Sequence, residues 1–196
     1  MGSLSLNQKI FLYLNSFTGK NKILDFFFVC LAKYSPYIFI FYEFYLYFYK
    51  KEKDKALFAF YSATLGIIIS KTISLFYFHN RPFMDKLGRL LIYHSPDSSF
   101  PSDHTTFMFS LAFSFYFFKV PHRNLFFLLA FLGSIARVFV GVHYPFDILG
   151  GLLVGFFSAY IIFRSQSLFS KLNKIIINLE ENLTKFLIWK KNAKSK

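Results

Sequence analysis

The sequence predicts an all-α polytopic membrane protein, a bundle of five transmembrane helices with an amphipathic interfacial helix at its N-terminus. Of the 196 residues, 55% are hydrophobic and 23% aromatic, whereas only 17% are charged. The apolar residues fall in runs long enough to cross a bilayer. No internal repeat or low-complexity linker divides the chain, so a single helical unit uses all of it.

The first segment is too short and polar to span a membrane. Within residues 5–18, apolar side chains recur at helical spacing, at Ile10, Phe11, Leu14 and Phe17. This pattern predicts a helix that lies in the membrane interface. The N-terminus lacks the basic start and continuous apolar core of a cleavable signal peptide. We therefore expect residues 1–23 to form an interfacial amphipathic segment.

Five apolar runs follow. In the first, we expect residues 24–32 to lie shallow, with Lys33 snorkelling and Pro36 bending the chain into the true span. The second run carries Lys71 inside it and leads into the longest polar connection, His79–Phe100. The apolar runs place the second to fifth spans at Ala56–Phe78, Asp103–Phe118, Asn124–Phe139 and Phe146–Phe163.

Basic residues are distributed unevenly along the chain, whose formal net charge is +13. The Lys50–Lys55 loop, the Lys119–Arg123 turn and the tail from Arg164 hold 14 of the 23 lysines and arginines. Such segments favour the cytoplasm and anionic membrane lipids, so the charge does not require nucleic acid as a partner. We expect residues 165–196 to form a basic amphipathic cytoplasmic tail and the opposite ends of the spans to face outward.

Ionisable residues from three separate parts of the sequence meet at that outer end. Arg81 closes the second span, Pro101–His104 opens the third, and the stretch Ala136–Gly151 joins the fourth to the fifth. Charged groups are costly at membrane depth, so their convergence predicts a functional site. The alternative is that Arg137 marks an interface and Asp147 only begins a helix, with no chemistry between them.

The residue types at this end suit an oxyanion. Arg81 and Arg137 supply planar, forked donors for phosphate oxygens. Ser102 and Asp103 occupy N-cap positions, which would point the free N–H groups of the third span into the same space.

The two histidines at this end suit nucleophilic and acid–base chemistry. Pro145 suits the first turn of a helix, where Asp147 can accept the ring N–H of His143. A histidine oriented by a carboxylate can act as a nucleophile or general base. His104 adds a proton donor. We expect no metal and no other cofactor, because the stretch has one relevant carboxylate and no thiolate cluster.

Three motifs carry a resemblance to a known family. They are Arg81-Pro82, Pro101-Ser102-Asp103-His104, and Ala136-Arg137 followed by His143 and Asp147. Together they resemble the RP, PSxH and SRx5Hx3D signature of the type 2 phosphatidic acid phosphatases (PAP2), which include membrane lipid phosphatases and soluble vanadium haloperoxidases. The phrases FYFHNRPF, FPSDHTTFMFS and GVHYPFDILGGLL are similar to the bacitracin-resistance type of undecaprenyl-diphosphate phosphatase within that family. Residues 24–164 would then be a PAP2 transmembrane phosphatase domain.

The resemblance implies a reaction and roles for the residues. His143 would attack the terminal phosphorus of undecaprenyl diphosphate, Asp147 would orient it, and His104 would protonate the leaving oxygen. The phosphate oxygens would be held by Arg81, Ser102 and Arg137. The products would be inorganic phosphate and the monophosphate carrier, recycled for cell-wall synthesis at the outer face of the bacterial cytoplasmic membrane without an obligatory protein partner. The alternative substrate is another lipid phosphate: phosphatidate, phosphatidylglycerol phosphate or lipid A.

The sequence departs from the family pattern in places. Ser74 stands where the family has a lysine, and Lys71 lies one turn deeper. Either Lys71 still reaches the phosphate, or it is structural; we favour the first, because an unpaired intramembrane lysine is costly. Asp103 would repel a phosphate, which favours a role in capping the helix over direct catalysis; it could also raise the pKa of His104 and so keep it a proton donor.

Three further positions qualify the predicted site. If Lys71 is structural, Arg81 and Arg89 would supply the positive charge at the phosphate site instead. Ala136 replaces the usual serine before the motif arginine, which removes one possible phosphate donor. His79 and His94 are expected at the exposed rim. A transporter or lipid scaffold would leave the spacing of the histidines unexplained.

Overall fold

The computed structural model describes residues 4–194, and these residues form seven α-helices without a strand. The outermost residues of the two predicted terminal segments, 1–3 and 195–196, lie outside the described part. In chain order the helices are α1 (Leu6–Asn15), α2 (Lys22–Phe48), α3 (Lys53–Phe76), α4 (Asp103–Phe117), α5 (Arg123–Phe139), α6 (Pro145–Arg164) and α7 (Gln166–Lys194).

Helix α4 lies at the centre of the bundle, where it contacts α2, α3, α5 and α6. Its Leu111, Ala112 and Phe115 are fully buried. Small residues bring the helices close: Ser110 of α4 and Ser158 of α6 have their hydroxyl oxygens 2.9 Å apart. Close packing through small and hydroxyl side chains is typical of helices in a membrane, where apolar burial alone does not drive association.

Three helices of the described chain, α2, α3 and α6, are long and apolar enough to cross a membrane. Helices α4 and α5, with 15 and 17 residues, fall below the 18 residues that define a candidate span. At about 1.5 Å per residue they are each about 25 Å long or less, which is shorter than the ~30 Å hydrocarbon core.

Helix α2 joins the segment that was expected to lie shallow to the predicted first span. It is a single helix of 27 residues that continues through Pro36, so residues 24–32 belong to the same helix as the predicted first span. At about 1.5 Å per residue it is about 40 Å long, which exceeds the hydrocarbon thickness.

Helix α1 packs against the end of the bundle that carries the motif residues. Phe11 is fully buried against Val138 and Tyr144. Asn15 is also buried, and its side-chain amide donates to the carbonyl of Phe139 at 2.8 Å. The predicted apolar face is therefore divided, because Phe11 faces the protein whereas Ile10, Tyr13 and Phe17 stay exposed.

The long connection between α3 and α4 covers the same end of the bundle. Its backbone is tied to α5 and α6 through Leu91 N–H to Val140 C=O, at 3.0 Å, and Ser102 N–H to Asp147 C=O, at 3.1 Å. Gly151 permits the close approach of α6 to α4, because a Cβ atom there would lie 2.8 Å from the carbonyl oxygen of Ser102. These contacts bring the three sequence motifs together.

Candidate active site

His143 lies in the short connection between α5 and α6. The turn before it requires Gly141, whose φ of +89° and contact with the Arg89 carbonyl oxygen leave no room for a side chain. His143 is only 2% exposed. Burial lowers the pKa of His143 to about 4; the hydrogen bond to Asp147 opposes this shift, and the charges of Arg81 and Arg137 add to it. The imidazole is therefore neutral at neutral pH, as a nucleophile must be.

Asp147 is fully buried in the first turn of α6, as Pro145 at its start predicts. Its Oδ2 accepts hydrogen bonds from the Tyr144 N–H at 2.7 Å and the Ser99 hydroxyl at 2.5 Å. The same oxygen lies 3.5 Å from Nδ1 of His143. The carboxylate is thus fixed by two short hydrogen bonds beside the imidazole that it was predicted to orient.

Arg81 is only 4% exposed, and all three of its guanidinium nitrogens meet protein acceptors. Its Nε donates to Asp97 at 2.9 Å, its Nη1 to the Val142 carbonyl at 2.9 Å and its Nη2 to the Ser98 carbonyl at 3.1 Å. Nη1 also lies 3.2 Å from Nε2 of His143. The same nitrogen lies 3.4 Å from Nδ1, so the guanidinium contacts the imidazole ring as a whole.

Arg137, at the end of α5, is only 3% exposed and differs from Arg81 in its contacts. Its Nη1 donates to the Ala32 carbonyl at 3.3 Å. Its Nε and Nη2 are buried and have no hydrogen-bond partner within the described residues. These two nitrogens form one edge of the planar fork, which binds two oxygens of a single phosphate or carboxylate. Since buried donors are normally paired, this edge is suited to an anionic ligand.

Ser102 is the N-cap of α4, where its fully buried hydroxyl oxygen accepts from the Thr105 hydroxyl at 3.1 Å. Its own hydroxyl proton remains available to a ligand. Asp103 follows as the first helical residue, which corrects its expected N-cap position. Its carboxylate instead accepts from the Ser70 hydroxyl at 2.7 Å and from Lys71 Nζ at 2.5 Å.

The ion pair between Lys71 and Asp103 explains how α3 accommodates a lysine within its apolar sequence. The Lys71 side chain is 59% exposed and the Asp103 side chain 32%, so the pair lies at the rim of the site. Lys71 of α3 is therefore paired in this structure, with Asp103 of α4 as its partner. Ser74, at the position where the family has a lysine, donates to the Phe100 carbonyl at 3.0 Å.

His104 lies in the first turn of α4, where the positive charges of Arg137 and Arg81 act on it. The structure therefore gathers His104, Arg137, His143 and Asp147 at one end of the bundle, together with Arg81 and Ser102. Arg89 is directed elsewhere: its Nη1 donates to the carbonyl of Thr18 behind α1, at 3.2 Å.

Sequence reasoning missed residues of the α3–α4 connection. Ser99 donates to Asp147, and His79 lies with Nδ1 3.2 Å from the other carboxylate oxygen, Oδ1. The His79 side chain is 32% exposed, so it belongs to the rim as expected but also contacts the buried carboxylate. His94 lies with its ring 6.3 Å from that of His143. No periodicity or motif marks these positions, because an irregular loop brings them to the site.

The described part of the chain contains no group of three or more His, Cys, Asp or Glu side chains that could hold a metal ion. The positive charges of Arg81 and Arg137 face the same histidines. The arrangement combines a neutral imidazole, an orienting carboxylate, a free guanidinium edge and the N-terminus of α4. Such a set of groups can bind a phosphate and displace its leaving group at phosphorus.

Comparison with known proteins agrees with this geometry. The family model for the PAP2 superfamily matches residues 55–171. The chain belongs to the PAP2 superfamily. The match begins in α3 and ends in α7, so it includes all three motifs of the site but neither α1 nor α2.

Relatives with assigned names match between about half and nine-tenths of the chain. Undecaprenyl-diphosphatase BcrC of Bacillus subtilis is 29% identical over 181 residues, which cover 90% of this chain and 92% of that protein. The putative undecaprenyl-diphosphatase YbjG of Escherichia coli is 37% identical over 106 residues, or 52% of this chain and 54% of its own. Lipid A 4'-phosphatase of Porphyromonas gingivalis is 28% identical, covering 82% and 73%.

A solved structure supports the same fold. The crystal structure of Aquifex aeolicus LpxE is similar with a TM-score of 0.71 and 26% sequence identity, covering 83% of this chain and 97% of that one. The chain is therefore an all-helical membrane protein of the PAP2 phosphatase family, and lipid phosphatases are among its relatives.

Proposed function

We propose that this protein hydrolyses undecaprenyl diphosphate to undecaprenyl phosphate and inorganic phosphate, and so recycles the lipid carrier of cell-wall synthesis. The free Nε–Nη2 edge of Arg137, buried at the same end of the bundle as His143, carries the phosphatase part of this proposal. The substrate rests on the similarity to undecaprenyl-diphosphatase BcrC along 90% of the chain.

The proposed reaction begins when Nε2 of neutral His143 attacks the terminal phosphorus. A P–N bond forms and the bond from phosphorus to the bridging oxygen breaks, with its electron pair leaving on the lipid phosphate. His104 donates a proton to that oxygen, and Asp147 stabilises the positive ring of the phosphohistidine. Water, deprotonated by His104, then attacks phosphorus and releases inorganic phosphate and His143.

The proposed phosphate site uses Arg137, the Ser102 hydroxyl and the N–H groups that begin α4. Arg81 holds the loop that carries the nucleophile, by donating to the Val142 carbonyl, and contributes positive charge to the same space. Lys71 and Asp103, at the rim, would face the second phosphate group of a diphosphate. Because these groups supply the charge in the transition state, we propose that no metal or other cofactor is needed.

A phosphate-release assay tests the substrate. Purified protein in detergent with EDTA should release phosphate from a long-chain prenyl diphosphate. Activity that disappears in EDTA and returns with Mg²⁺ would contradict the metal-free site. The matched control is His143→Ala, which should release no phosphate from any substrate.

Another lipid phosphate is the second candidate, and the similarity to lipid A 4'-phosphatase over 82% of the chain favours lipid A among the alternatives. The discriminating experiment measures kcat/KM on prenyl diphosphate, lipid A, phosphatidate and phosphatidylglycerol phosphate under identical conditions. A higher kcat/KM on any of the last three would replace undecaprenyl diphosphate as the proposed substrate.

We also propose a membrane arrangement with five spans, α2 to α6, and the site facing outward from the bacterial cytoplasmic membrane. Residues 24–164 would form the phosphatase domain, 1–23 the interfacial segment and 165–196 the cytoplasmic tail. Single cysteines in the His79–Phe100 loop of a Cys30-free variant should react with an impermeant thiol reagent on intact cells. Cysteines in the Lys50–Lys55 loop should not, and the reverse labelling would place the site in the cytoplasm.

A further inference from the structure

Pro36 interrupts the hydrogen bonding of α2 at a position that matters for Arg137. In an α-helix the N–H of each residue donates to the carbonyl four residues earlier. Proline has no N–H, so Pro36 cannot donate to the carbonyl of Ala32. The helix nevertheless continues through Pro36 from Lys22 to Phe48. The Ala32 carbonyl is therefore left without its usual helical donor in the middle of α2.

Arg137 occupies that position. Its Nη1 donates to the Ala32 carbonyl at 3.3 Å, across the interface between α2 and α5. This is the one hydrogen bond between the Arg137 side chain and the rest of the described chain, since Nε and Nη2 have no partner there. The carbonyl freed by Pro36 thus anchors one side of a guanidinium group whose other edge stays open.

The helix crossing explains why these two groups meet. Gly133 of α5 lies against Ser35 of α2, so closely that a Cβ atom at Gly133 would collide with the Ser35 hydroxyl. The two helices are antiparallel in the bundle. One turn outward from this contact is Arg137 on α5 and, on α2, Ala32. The close approach therefore delivers the arginine to the carbonyl that proline has freed.

We propose that Pro36 is a positioning residue for the phosphate site, acting on Arg137 through the Ala32 carbonyl. Anchoring Nη1 fixes the rotation of the guanidinium plane, so that the Nε–Nη2 edge meets two phosphate oxygens at once. This role rests on the proposed phosphatase function and adds a residue from α2, which lies outside the part of the chain that the family model matches.

The substitution Pro36→Ala tests the role, because it returns an N–H that competes for the Ala32 carbonyl. Orthovanadate, which resembles the transferring phosphate, should bind the variant more weakly, by on the order of 10-fold for a small misplacement of the guanidinium. The melting temperature should stay the same or rise, since alanine favours a helix interior and proline does not. Vanadate affinity should therefore fall without any loss of stability. If the role of Pro36 were purely structural, the substitution would leave vanadate affinity unchanged.

A double-mutant cycle shows whether the effect passes through Arg137. In an Arg137→Lys background, Pro36→Ala should weaken vanadate binding no further. Tyr37→Ala is the matched control, because Tyr37 is an exposed neighbour on α2 that keeps its backbone N–H; it should leave vanadate affinity at the wild-type value. The measurement is direct vanadate binding by calorimetry, with inhibition of p-nitrophenyl phosphate hydrolysis as a second readout.

The outcomes separate the two proposals. If the wild type binds vanadate and Pro36→Ala binds it equally well, the role of Pro36 is refuted while the phosphatase proposal stands. If both single substitutions weaken binding but their effects add independently, Pro36 acts by a route other than Arg137 and the role is again refuted. A wild-type protein that bound no vanadate would refute the proposed phosphate site and the role of Pro36 with it.

Discussion

The two buried arginines at the end of the bundle that carries the three motifs differ in how they are bonded. Every guanidinium nitrogen of Arg81 donates a hydrogen bond to the protein, and these bonds hold the loop that carries His143. Arg137 has a single anchor, the Ala32 carbonyl, and keeps one edge unpaired. Buried donors without partners are unfavourable in a folded chain. The difference supports the proposal that Arg137 binds the phosphate, whereas Arg81 holds the loop that carries the proposed nucleophile.

Replacement of the histidines should have the largest effect and tests whether a nucleophile lies beside Arg81. His143→Ala should abolish turnover on every substrate, because no other group can form the covalent intermediate. His104→Ala should lose a factor on the order of 10² or more on prenyl diphosphate. It should lose proportionally less on p-nitrophenyl phosphate, whose leaving group needs little protonation. If His143→Ala kept activity on p-nitrophenyl phosphate while His104→Ala lost it, the roles of the two histidines would have to be exchanged.

Lysine substitutions compare the arginines directly. Arg137→Lys should lower kcat/KM by about 10²–10³-fold, because lysine cannot present a two-donor edge, and should change the melting temperature little. Arg81→Lys should lower both kcat/KM and the melting temperature, since three acceptors lose their donor. If Arg137→Lys were the less stable and more active of the two variants, the assigned division of tasks would be wrong.

The acid side of the pH profile sharpens the role of the buried carboxylate. The hydrogen bond to Asp147 raises the pKa of His79 above its usual value, while burial opposes the shift. Below that pKa, protonated His79 neutralises part of the charge that supports His143; above it, Asp147 acts on His143 in full. Activity should therefore rise with pH through the neutral range.

His79→Gln keeps an N–H donor but cannot titrate, so its ratio of kcat at about pH 6 to kcat at about pH 8 should exceed that of the wild type. His94→Gln is the control: burial, assisted by the charge of Arg81, lowers the pKa of His94, in the opposite direction from the shift at His79. Identical profiles for His79→Gln and wild type would exclude this coupling.

The pair Lys71 and Asp103 should give the smallest effect, because it is half exposed and screened by solvent. Lys71→Met leaves a carboxylate unpaired near the phosphates and should raise KM for a diphosphate by about 5-fold or less. The double variant Lys71→Met/Asp103→Asn should recover most of this loss. If Lys71→Met raised KM equally for diphosphate and monophosphate substrates, Lys71 would not recognise the second phosphate.

The sequence predicted the framework of the site because local chemistry determines it. Helices α4 and α5 start and end within one residue of the predicted spans, since apolar runs and the turns between them define both. Pro145 predicted the helix start that carries Asp147. The three motifs predicted which ends of the helices meet, and the structure brings them together.

The remaining contacts depend on tertiary packing that one sequence does not encode in a readable pattern. Ser99 and His79 reach Asp147 through an irregular loop, so no periodicity places them. Helix α2 continues through Pro36, and the pairing of the freed Ala32 carbonyl with Arg137 on another helix also follows only from packing. The partner of Lys71 is on another helix, and its pairing with Asp103 follows only from the packing of α3 on α4.

The central claim is that His143 forms a covalent bond to the phosphorus that Arg137 holds, and trapping that intermediate tests it most directly. Purified protein should be mixed with a diphosphate labelled with ³²P at its terminal phosphate and quenched within the first turnover. We expect protein-bound label that is stable in alkali, labile in acid and located on His143 by peptide mapping. The label should be absent from His143→Ala and strongly reduced in Arg137→Lys. Label on another residue, or full labelling of His143→Ala, would contradict the account.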